Sequence, residues 1–572
     1  MIAATYIARY LREIGIKHVL GYDGSMMLKI ADEISLIEGI DFIQGFHEQA
    51  SSFAADAYAR VSGVPGVVLV TSGPGAINAL AGIADAYMDS VPLVVITGQD
   101  YSNHVLENPG VRLNGFQDLD VVSIVKPITK YAVQIMDVNR LAYELEKCFH
   151  IAMDGRKGPT LIDIPIDVQF REIPKCMEHF CRKDIGKLDI SSVIHNIDHI
   201  ISLLANAKKP VILAGGGIRL ANAEDELREL AVLTNIPVVT TLNGHDAYEG
   251  AIGSSGLNGS PEANLTIFHS DLLLVLGARL GQQQVGKKVC EYTRARVIHV
   301  DIDPMELGRI LTEEISICMD IKKFLQLIND KLSRESKQEY SDWWEKIDRW
   351  GETYEEELFV NKEGIDPVRF VRRVCEMCEE NTIFTNDVGQ NTMWVCQGLL
   401  LRRTQRLLTS SGYASMGFSV PAAIGAKIAS PSRMVVSFSG DGGFHMNLQE
   451  LQFVKLHQLN IKFIVFNNNT LGLMREVQRL YYNDNHVGSN INEFTCADLK
   501  RVADLYDLQY LCISDPSEIE NITAILSSPQ AGIIDCRLSL NTCLHNWNKF
   551  KQEYPEELEP FILGMKDEDA FI

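Results

Sequence analysis

Two short motifs carry the residue types that hold a phosphorylated ligand together with a metal ion. Ser439-Gly-Asp-Gly-Gly-Phe-His follows an apolar run typical of a strand, and Phe466-Asn-Asn-Asn-Thr-Leu-Gly follows the next such run. Glycines let the backbone approach a diphosphate, and amides at a helix start favour its negative charge. Asp441 would repel phosphate unless a cation lay between them, and Asn468 and the Thr470 carbonyl would supply further oxygens, the ligand type that Mg2+ prefers. The motifs together predict a metal and diphosphate site with Asp441, Asn468 and Thr470 as metal ligands.

Each motif alone has an ordinary explanation. Gly-Asp-Gly and Asn-Asn are both common turn signals, so either one by itself favours an independent turn. Their positions after two neighbouring strand-like runs favour one shared site over two separate turns.

The elements that must position these motifs alternate along the chain. Short β-branched runs alternate with helical stretches, such as the one expected over residues 75–87, and this pattern predicts α/β domains with buried parallel strands. We expect three doubly wound parallel-sheet domains at residues 1–170, 188–332 and 366–545, followed by a polar tail at residues 546–572. The strand-like runs end in small residues, which leave room for a ligand at the carboxyl edge of each sheet. They include Gly66-Val-Val-Leu-Val-Thr, Val91-Pro-Leu-Val-Val-Ile, Pro210-Val-Ile-Leu-Ala, Ile236-Pro-Val-Val-Thr, Asp271-Leu-Leu-Leu-Val-Leu, Arg296-Val-Ile-His-Val-Asp, Thr382-Ile-Phe-Thr, Met434-Val-Val-Ser-Phe, Ile461-Lys-Phe-Ile-Val-Phe and Gly532-Ile-Ile-Asp-Cys.

Length and composition limit the classes of function. The chain has 572 residues, 46% of them hydrophobic and 22% charged, which is ordinary for a multidomain globular protein. Its formal net charge of −22 argues against a general nucleic-acid or anionic-membrane partner. The sequence has no apolar run as long as the roughly 18 residues of a membrane span, and its amino end mixes charge into an amphipathic pattern. We expect a soluble, cytoplasmic protein.

The twelve cysteines do not form a metal site by spacing. Most lie in apolar stretches, where a thiol behaves as a small hydrophobic group. Cys375 and Cys378 form one CxxC pair in a helical stretch, but a zinc site needs four ligands and no second pair stands at a matching distance. Reduced structural thiols are the interpretation we adopt, for Cys148, Cys290, Cys318, Cys396, Cys512 and Cys536 in particular.

The spacing of the two ligand motifs resembles that of thiamine-diphosphate enzymes, and nearly the whole chain resembles the acetolactate synthase large-subunit family. The resemblance implies a pyrimidine-binding domain first, a flavin-carrying domain second and a diphosphate-binding domain third. Five further segments carry it: His47-Glu-Gln-Ala, Thr71-Ser-Gly-Pro-Gly-Ala, Gly155-Arg-Lys-Gly-Pro-Thr, Asp387-Val-Gly-Gln-Asn-Thr-Met-Trp and Ser415-Met-Gly-Phe-Ser-Val-Pro.

The resemblance also implies roles for single residues. Glu48 would hydrogen-bond the aminopyrimidine ring and so help the cofactor to ionise, and Gln117 would donate to a substrate carbonyl or a developing alkoxide. Met416 would hold the cofactor in a bent shape. The implied thiamine-diphosphate residues are Gly389, Gln390, Asn391, Ala414, Met416, Gly440, Asp441, Gly442, Gly443, Asn468, Thr470, Leu471, Gly472 and Leu473.

Glu48, Gln117 and Met416 each have an ordinary structural interpretation when considered alone. Glu48 is then a first-turn acid favoured by the helix dipole, Gln117 a solvated loop amide and Met416 a core side chain. The full set of motifs favours the functional interpretation of Glu48.

The middle domain keeps several elements that hold flavin in the similar family, and they predict bound FAD in a structural role with no hydride step. The family's Asp-Asp-Arg after Gly-Ala-Arg is replaced here by Gly281, Gln282 and Gln283. The candidate FAD residues are Arg156, Gly215, Gly216, Gly217, Thr241, Gly277, Arg279, Asp301 and Asp320.

The substrate pocket departs further from the family. Ile166 stands where the synthases carry a lysine, and Val477 stands where they carry a tryptophan. Asp23 and Met26 replace Pro and Ala in the first glycine-rich turn, and Arg112 adds a cation. Losing cations weakens attraction for a second carboxylate, and losing an indole opens volume for a larger acceptor.

The predicted function is decarboxylation of a 2-keto acid, with pyruvate as the expected donor, and transfer of the two-carbon unit to a carbonyl acceptor. Three alternatives of the same chemistry stay open: ligation to a nucleotide-linked keto-sugar, simple decarboxylation, or lysis of a 2-hydroxyketone. A nicotinamide oxidoreductase built on Gly215-Gly-Gly and a catalytically silent binding subunit are rivals of other classes, but the first gives Glu48 and Asp441 no role. The resemblance implies a homodimer or homotetramer, because the glutamate and the diphosphate motif face each other across a dimer interface in the relatives.

Overall fold

The computed structural model describes residues 1–105, 111–174, 176–181, 190–286, 292–332, 339–358, 364–490, 492–540 and 542. The predicted tail at residues 546–572 and Cys290 lie outside the described residues. No helix among the described residues is long and apolar enough to cross a membrane.

The described chain forms three parallel β-sheets, each with helices between its strands. The strand orders are β2-β1-β3-β4-β6-β5, β11-β10-β9-β7-β8 and β13-β12-β14-β15-β17-β16. Every strand pair within them is parallel, for example Val94 beside Thr160 and Ser437 beside Phe463. The predicted class of three parallel-sheet α/β domains is confirmed, and the exact domain boundaries stay predictions.

The first sheet is built on apolar runs that helices cover on both faces. Val67, Val95 and Ile162 lie on its inner strands and are fully buried, as parallel strands require. Its strands are β1 His18–Tyr22, β2 Asp41–Gln44, β3 Gly66–Val70, β4 Leu93–Gln99, β5 Tyr131–Gln134 and β6 Thr160–Pro165. Its helices are α1 Ala3–Glu13, α2 Leu28–Ser35, α3 Glu48–Ser62, α4 Pro74–Asn78, α5 Leu80–Met88, α6 Ser102–Val105, α7 Val121–Val125, α8 Leu141–Met153 and α9 Ile166–Phe170, with 3-10 turns at Lys126–Ile128 and Val138–Arg140.

The second sheet follows the same pattern, and a long helix after it leads into the third domain. Its strands are β7 Pro210–Ala214, β8 Val238–Thr240, β9 Leu272–Leu276, β10 Arg296–Asp301 and β11 Ile315–Cys318. Its helices are α10 Ile190–Asn206, α11 Gly217–Leu220, α12 Glu224–Thr234, α13 Pro261–Phe268, α14 Gln282–Val285, α15 Ile321–Leu332 and the linking helix α16 Ser341–Leu358, with a 3-10 turn at Leu242–Gly244.

The third sheet carries both ligand motifs at the carboxyl ends of its strands. Its strands are β12 Ile383–Asn386, β13 Arg406–Thr409, β14 Val435–Gly440, β15 Ile461–Asn467, β16 Gln509–Ile513 and β17 Gly532–Arg537. Its helices are α17 Pro367–Met377, α18 Gln390–Gly398, α19 Ser419–Ala429, α20 Asp441–His445, α21 Leu451–Leu456, α22 Gly472–Tyr481, α23 Leu499–Leu505 and α24 Ile522–Leu526, with 3-10 turns at Leu448–Glu450 and Pro516–Asn521.

The first and third domains pack through two helices made largely of small residues, α3 and α19. A Cβ on Gly425 of α19 would lie only 1.9 Å from the carbonyl oxygen of Ala54 in α3, so the two backbones nearly touch. Phe53 and Phe418 meet edge to face beside this contact, at a centroid distance of 5.6 Å. This packing fixes the start of α3, where Glu48 lies, relative to the third sheet.

A buried ion cluster ties all three domains together. Arg60 of α3 pairs with Asp56 (2.6 Å) and with Asp89 (3.2 Å). Asp89 also accepts from Asn243 of the second domain (2.9 Å) and from the Gly412 amide of the third (2.8 Å). Burial alone would raise the pKa of Asp89, but the charge of Arg60 and the hydrogen bonds lower it overall, so the carboxylate stays ionised.

The structure differs from the sequence-based expectations at three places. The helix expected over residues 75–87 is interrupted at Ala79 and forms α4 and α5. The stretch that the expected domains leave unassigned, between residues 332 and 366, contains the helix α16, whose Trp350 is fully buried. Cys318 is exposed, because β11 is an edge strand whose alternate side chains face outward. Cys375 and Cys378 are buried, and burial raises the pKa of the Cys375 thiol to about 11.

Candidate active site

The two ligand motifs meet at one edge of the third sheet. β14 and β15 are neighbours in register, with Gly440 beside Phe466, so the turns that follow them emerge side by side. Asp441 begins α20 and is 2% exposed, and Asn468 follows β15 and is also buried. The predicted convergence of the two motifs is therefore present in the fold.

Asp441 has one occupied and one unpartnered oxygen. Its Oδ1 accepts from the Gly442 amide at 2.8 Å, and the nearby backbone amides of residues 468–470 also act to lower the pKa of this carboxylate. Its Oδ2 is buried and has no hydrogen-bond partner among the described residues. Burial raises the pKa of Asp441 to about 7 despite those hydrogen bonds. Burial disfavours the ionised carboxylate, and one of its oxygens receives no hydrogen bond. A cation bound at this position would stabilise the ionised form.

The backbone around Asp441 leaves no room for further side chains. A Cβ on Gly472 would lie 2.1 Å from Oε1 of Gln390, and the same oxygen accepts from Nδ2 of Asn468 at 3.4 Å. A Cβ on Gly440 would lie 3.3 Å from Oδ1 of Asn391. Gly389, Gln390 and Asn391 thus lie against the two motifs, and the glycines leave their backbone open to a diphosphate.

Met416 and Leu471 also border this edge. A Cβ on Gly442 would lie 2.6 Å from Leu471 and 3.3 Å from the terminal methyl of Met416. Ala414, just before Met416, has a left-handed φ of 58°. Leu473 lies in the first turn of α22. Gly443 packs against Asp387, whose carboxylate accepts from the amides of Gly417 and Ser419 and so fixes the segment that carries Met416.

Glu48 and Gln117 lie together in the first domain, on either side of the turn between β3 and α4. Glu48 is 8% exposed, and its Oε2 accepts from Asn78 at 3.0 Å. A Cβ on Gly75, in the first turn of α4, would lie 3.2 Å from Oε1 of Glu48. A Cβ on Gly73, across the turn, would lie 2.9 Å from the carbonyl oxygen of Gln117.

The first-domain and third-domain groups are separate clusters in the described chain. Among the described residues, no hydrogen bond joins Glu48 or Gln117 to Asp441 or Asn468. The two domains do meet nearby, where the Phe46 amide donates to Glu450 at 3.3 Å.

The candidate FAD residues surround one cavity of about 310 Å³ between the first and second domains, the size of a small ligand pocket. Gly215 does not line it, because Gly215 packs against Gly277, where an added Cβ would lie 2.1 Å from the carbonyl oxygen. The candidate residues that line the cavity are Arg156, Gly216, Gly217, Thr241, Gly277, Arg279, Asp301 and Asp320.

Charges of both signs line this cavity. Arg156 pairs with Asp303 (2.9 Å) and Glu306 (2.7 Å), and Arg279 lies 3.5 Å from Asp89. Burial raises the pKa of Asp301. Cations beside carboxylates are a donor set that fits the phosphates and the hydroxyl groups of a dinucleotide.

The residues that depart from the family pattern are dispersed. Ile166 and Asp23 line a groove of the first domain, and Met26 is buried beneath it. Val477 lies on α22, and Arg112 is exposed in the loop that leads to Gln117.

Two polar residues beside Gln117 were missed by sequence reasoning. Asp100 follows β4, is buried, and accepts from the Phe116 amide at 3.0 Å and pairs with Nδ1 of His104 at 2.9 Å. Asp100 stands at the carboxyl end of a parallel strand, and this position was the only signal for it in the sequence. Glu476 was missed too, and its Oε2 accepts from Gln390 at 2.9 Å.

His47 and His445, which neighbour the motif residues Glu48 and Asp441, serve local structure. Nδ1 of His47 accepts from the Gln49 amide and caps α3. Nε2 of His445 accepts from the Ala497 amide at 2.8 Å.

Comparison with known proteins covers all three domains. Residues 1–124 match the thiamine pyrophosphate enzyme N-terminal TPP binding domain, residues 197–328 its central domain and residues 387–536 its C-terminal TPP binding domain. The chain belongs to the thiamine pyrophosphate enzyme family. Thiamine pyrophosphate is another name for thiamine diphosphate, so the predicted family is confirmed.

Within this family the chain is similar to acetolactate synthase large subunits. It is 33% identical to that of Lactococcus lactis subsp. lactis over 541 residues, which cover 93% of this chain and 92% of that protein. It is 33% identical to isozyme 3 of Escherichia coli K12 over 528 residues, 91% of each chain. It is 34% identical to the probable subunit of Methanocaldococcus jannaschii over 551 residues, 94% of this chain and 91% of that protein. The chain is therefore a thiamine-diphosphate-dependent, acetolactate synthase-like enzyme.

Proposed function

We propose that this enzyme uses thiamine diphosphate and Mg2+ to decarboxylate a 2-keto acid, with pyruvate as donor, and transfers the two-carbon unit to a carbonyl acceptor. The buried Asp441, with an unpartnered oxygen where the two ligand motifs converge, carries this proposal. A cation there would satisfy that oxygen, and it would also neutralise a diphosphate held against the neighbouring glycines.

Asp441, Asn468 and the backbone carbonyl of Thr470 would hold the metal. The diphosphate would lie against residues 389–391, 440–443 and 471–473, and Met416 and Ala414 would contact the rings. When bound, thiamine diphosphate supplies the nucleophilic carbon and the electron sink for loss of CO2.

Glu48 would hold a proton at one carboxyl oxygen and share it with a ring nitrogen of the cofactor. Its position supports this role, because Glu48 is buried and Asn78 fixes one of its oxygens by donating to it. Gln117 would donate its amide hydrogen to the oxygen of the carbonyl acceptor as that oxygen gains charge.

The acceptor distinguishes two versions of this function. A second pyruvate gives acetolactate, as the names of the relatives suggest. The apolar Ile166 and Val477 leave fewer groups that favour a second carboxylate, and this supports a larger acceptor without a carboxylate, such as a nucleotide-linked keto-sugar. Protonation without ligation, or lysis of a 2-hydroxyketone, would use the same residues.

The cavity between the first and second domains would bind FAD. Arg156 and Arg279 would approach its phosphates, and Asp301 and Asp320 its hydroxyl groups, with Gly216, Gly217, Thr241 and Gly277 along the walls. The flavin would be structural, since the proposed reaction has no net oxidation.

The enzyme would act as a homodimer or homotetramer in the cytoplasm. Glu48 and Asp441 lie in separate clusters of one chain, and this arrangement supports a site completed by a second copy.

The deciding experiment measures CO2 release from pyruvate by the purified protein, with Mg2+ and thiamine diphosphate added or withheld, and assays acetolactate in parallel. We expect CO2 only when both cofactors are present. Equal amounts of acetolactate would identify pyruvate as acceptor, and CO2 without acetolactate would point to the keto-sugar or to simple decarboxylation. No cofactor-dependent CO2 from any 2-keto acid would contradict the proposal, and an absorbance change that requires NAD(P)H would favour the oxidoreductase.

A further inference from the structure

The loop that carries Gln117 is held against the first sheet by a buried carboxylate. Asp100 follows β4 and is 2% exposed. Its Oδ2 accepts from the Phe116 amide at 3.0 Å, directly before Gln117 in the chain. A Cβ on Gly115 would lie 1.5 Å from this same oxygen, so only a glycine lets the loop pass so close to Asp100.

His104 contacts the same carboxylate from the side of the solvent. Its Nδ1 lies 2.9 Å from Oδ2 of Asp100, and its backbone carbonyl accepts from Asn114 at 2.6 Å. His104 therefore contacts both the carboxylate and the start of the loop. The His104 ring thus hydrogen-bonds the same oxygen of Asp100 that accepts from the Phe116 amide.

Gln117 itself has a backbone conformation that needs support. Its φ of 57° is left-handed, a conformation that is unfavourable for a residue with a side chain. The hydrogen bond from Phe116 to Asp100 fixes the peptide just before this angle. The carbonyl of Gln117 then lies against Gly73, just before α4, and Gly75 of α4 faces Glu48.

We propose that Asp100 and His104 are positioning residues that hold Gln117 at the acceptor carbonyl and so decide whether the two-carbon unit is ligated or released. The proposal rests on the proposed function, because Gln117 acts there on the acceptor. Neither residue is assigned to touch the reacting atoms.

The chemistry makes the two outcomes separable. Loss of CO2 from pyruvate breaks the bond between C1 and C2 and leaves its electron pair with the two-carbon unit. This pair either forms a bond to the acceptor carbonyl carbon, whose oxygen then takes a proton, or takes a proton from water, and the unit leaves as acetaldehyde. Gln117 would assist only the first route, since only there does an acceptor oxygen gain charge.

The test compares four variants of the full-length protein by two readouts. The first is hydrogen exchange at the amides of residues 114–117, measured without substrate. The second is the ratio of ligated product to acetaldehyde during turnover of pyruvate with cofactors and acceptor. Asp100→Ala removes the acceptor of the Phe116 amide, Asp100→Asn keeps an oxygen there, and His104→Ala removes the second support. Asp120→Ala is the matched control, because Asp120 caps α7 through the Ser123 amide in the same connection and, among the described residues, makes no side-chain hydrogen bond to residues 114–117.

We expect Asp100→Ala to raise exchange about tenfold or more and to lower the ligation ratio about tenfold, while CO2 release stays within about threefold of wild type. His104→Ala should lower the ratio about threefold, and Asp100→Asn should restore it to within about twofold of wild type. Asp120→Ala should change neither readout, although it removes a helix cap.

Three results would overturn the inference. They are unchanged exchange in Asp100→Ala, raised exchange with an unchanged ratio, and an equal fall of CO2 release and ligation. If Asp100→Ala does not fold, His104→Ala and Asp100→Asn decide by the same readouts. Failure of the proposed function would differ, since the wild-type protein would then release no cofactor-dependent CO2 while the exchange result still tested the anchoring of the loop.

Discussion

At the scale of single residues, the carboxyl groups in the two halves of the site have different hydrogen-bond partners. Glu48 has a neutral donor, Asn78, on one oxygen, whereas Asp441 has a buried oxygen with no partner. The first arrangement suits a group that shares a proton, and the second suits a group that binds a cation. Each role can be removed without the other.

Replacing Glu48 with Gln tests the proton-sharing role alone. The amide still accepts from Asn78 but cannot share an acidic proton with the cofactor. We expect CO2 release to fall about 10²- to 10⁴-fold, the usual contribution of a positioned acid or base. Cofactor affinity, measured by calorimetry, should stay within about threefold of wild type, since the diphosphate groups are untouched.

The control for this change is Glu38→Gln, which makes the same substitution at an exposed position of the first domain. It should leave the rate of CO2 release and the affinity for the cofactor unchanged. A normal rate of CO2 release in the Glu48 variant would remove Glu48 from the mechanism.

Sequence reasoning located the residues whose motifs are local. Asp441 and Asn468 could be predicted because each follows a strand directly, and strand ends meet at one edge of a parallel sheet. Asp100 and His104 could not, because their importance depends on a contact with Phe116 in a later loop. No pattern within β4 encodes that contact.

At the scale of elements, most inner strands were predicted and most edge strands were not. β4 and β15 are continuous buried runs, which the sequence shows directly. β2 and β5 are sheet edges with no fully buried position, so their residues lack the apolar signal. β1 was missed although it is an inner strand, because Gly21 interrupts its short apolar run.

The close contact between α3 and α19 yields a second prediction. Gly425→Ala would place a Cβ 1.9 Å from a backbone oxygen, so the helices must separate, at a cost of about 1 to 3 kcal/mol or more. We expect a lower Tm in thermal unfolding. Gly351→Ala in α16 is the matched control, since no atom lies within 4 Å of its added Cβ. That variant should be stabilised by about 0.5 to 1 kcal/mol through helix propensity. A normal Tm for Gly425→Ala would mean that the helices lie farther apart.

The contact between Glu450 and the start of α3 yields a prediction about pH. Burial raises the pKa of Glu450 to about 7, although the amides of Phe46 and His47 donate to it. The folded chain therefore keeps a proton that the unfolded chain loses above about pH 4.5. The contribution of Glu450 to the free energy of unfolding is greatest below that pH. It falls by up to about 3 kcal/mol as the pH rises to about 7, and it is then constant.

Glu450→Gln keeps an acceptor oxygen and removes the titration. We expect the Tm of this variant, relative to wild type, to rise by about 2 to 5 °C between pH 5 and pH 7.5. Glu38→Gln should show no such trend, because Glu38 is exposed. A constant difference between Glu450→Gln and wild type would contradict the raised pKa.

At the scale of the whole molecule, the three domains are joined by buried polar contacts as well as by helix packing. Arg60, Asp89 and Asn243 come from two domains and reach the Gly412 amide of the third. The sequence predicted the three sheets, but it gave no sign of this cluster, because its members are far apart in the chain. The same limit applies to assembly, since no motif within one chain shows which copy supplies Glu48 to a given Asp441.

Co-expression of two differently tagged variants tests whether two copies share each site. In a dimer of Glu48→Gln with Asp441→Asn, isolated through both tags, a shared arrangement gives one site with both changes and one site with none. We expect about half of the wild-type activity per dimer, although each variant alone is inactive. If each site lay within one chain, every site would carry one change and the mixed dimer would be inactive.

A second pairing of chains controls for any effect of the substitutions on expression or stability. A chain carrying both changes is paired with a wild-type chain, so the numbers of altered residues in the dimer are the same. With shared sites, each site then receives one change, and we expect no activity above that of the single variants. With sites inside one chain, the wild-type chain would keep about half of the activity. The two pairings therefore give opposite results, and activity in the second pairing but not in the first would show that a single chain completes the site.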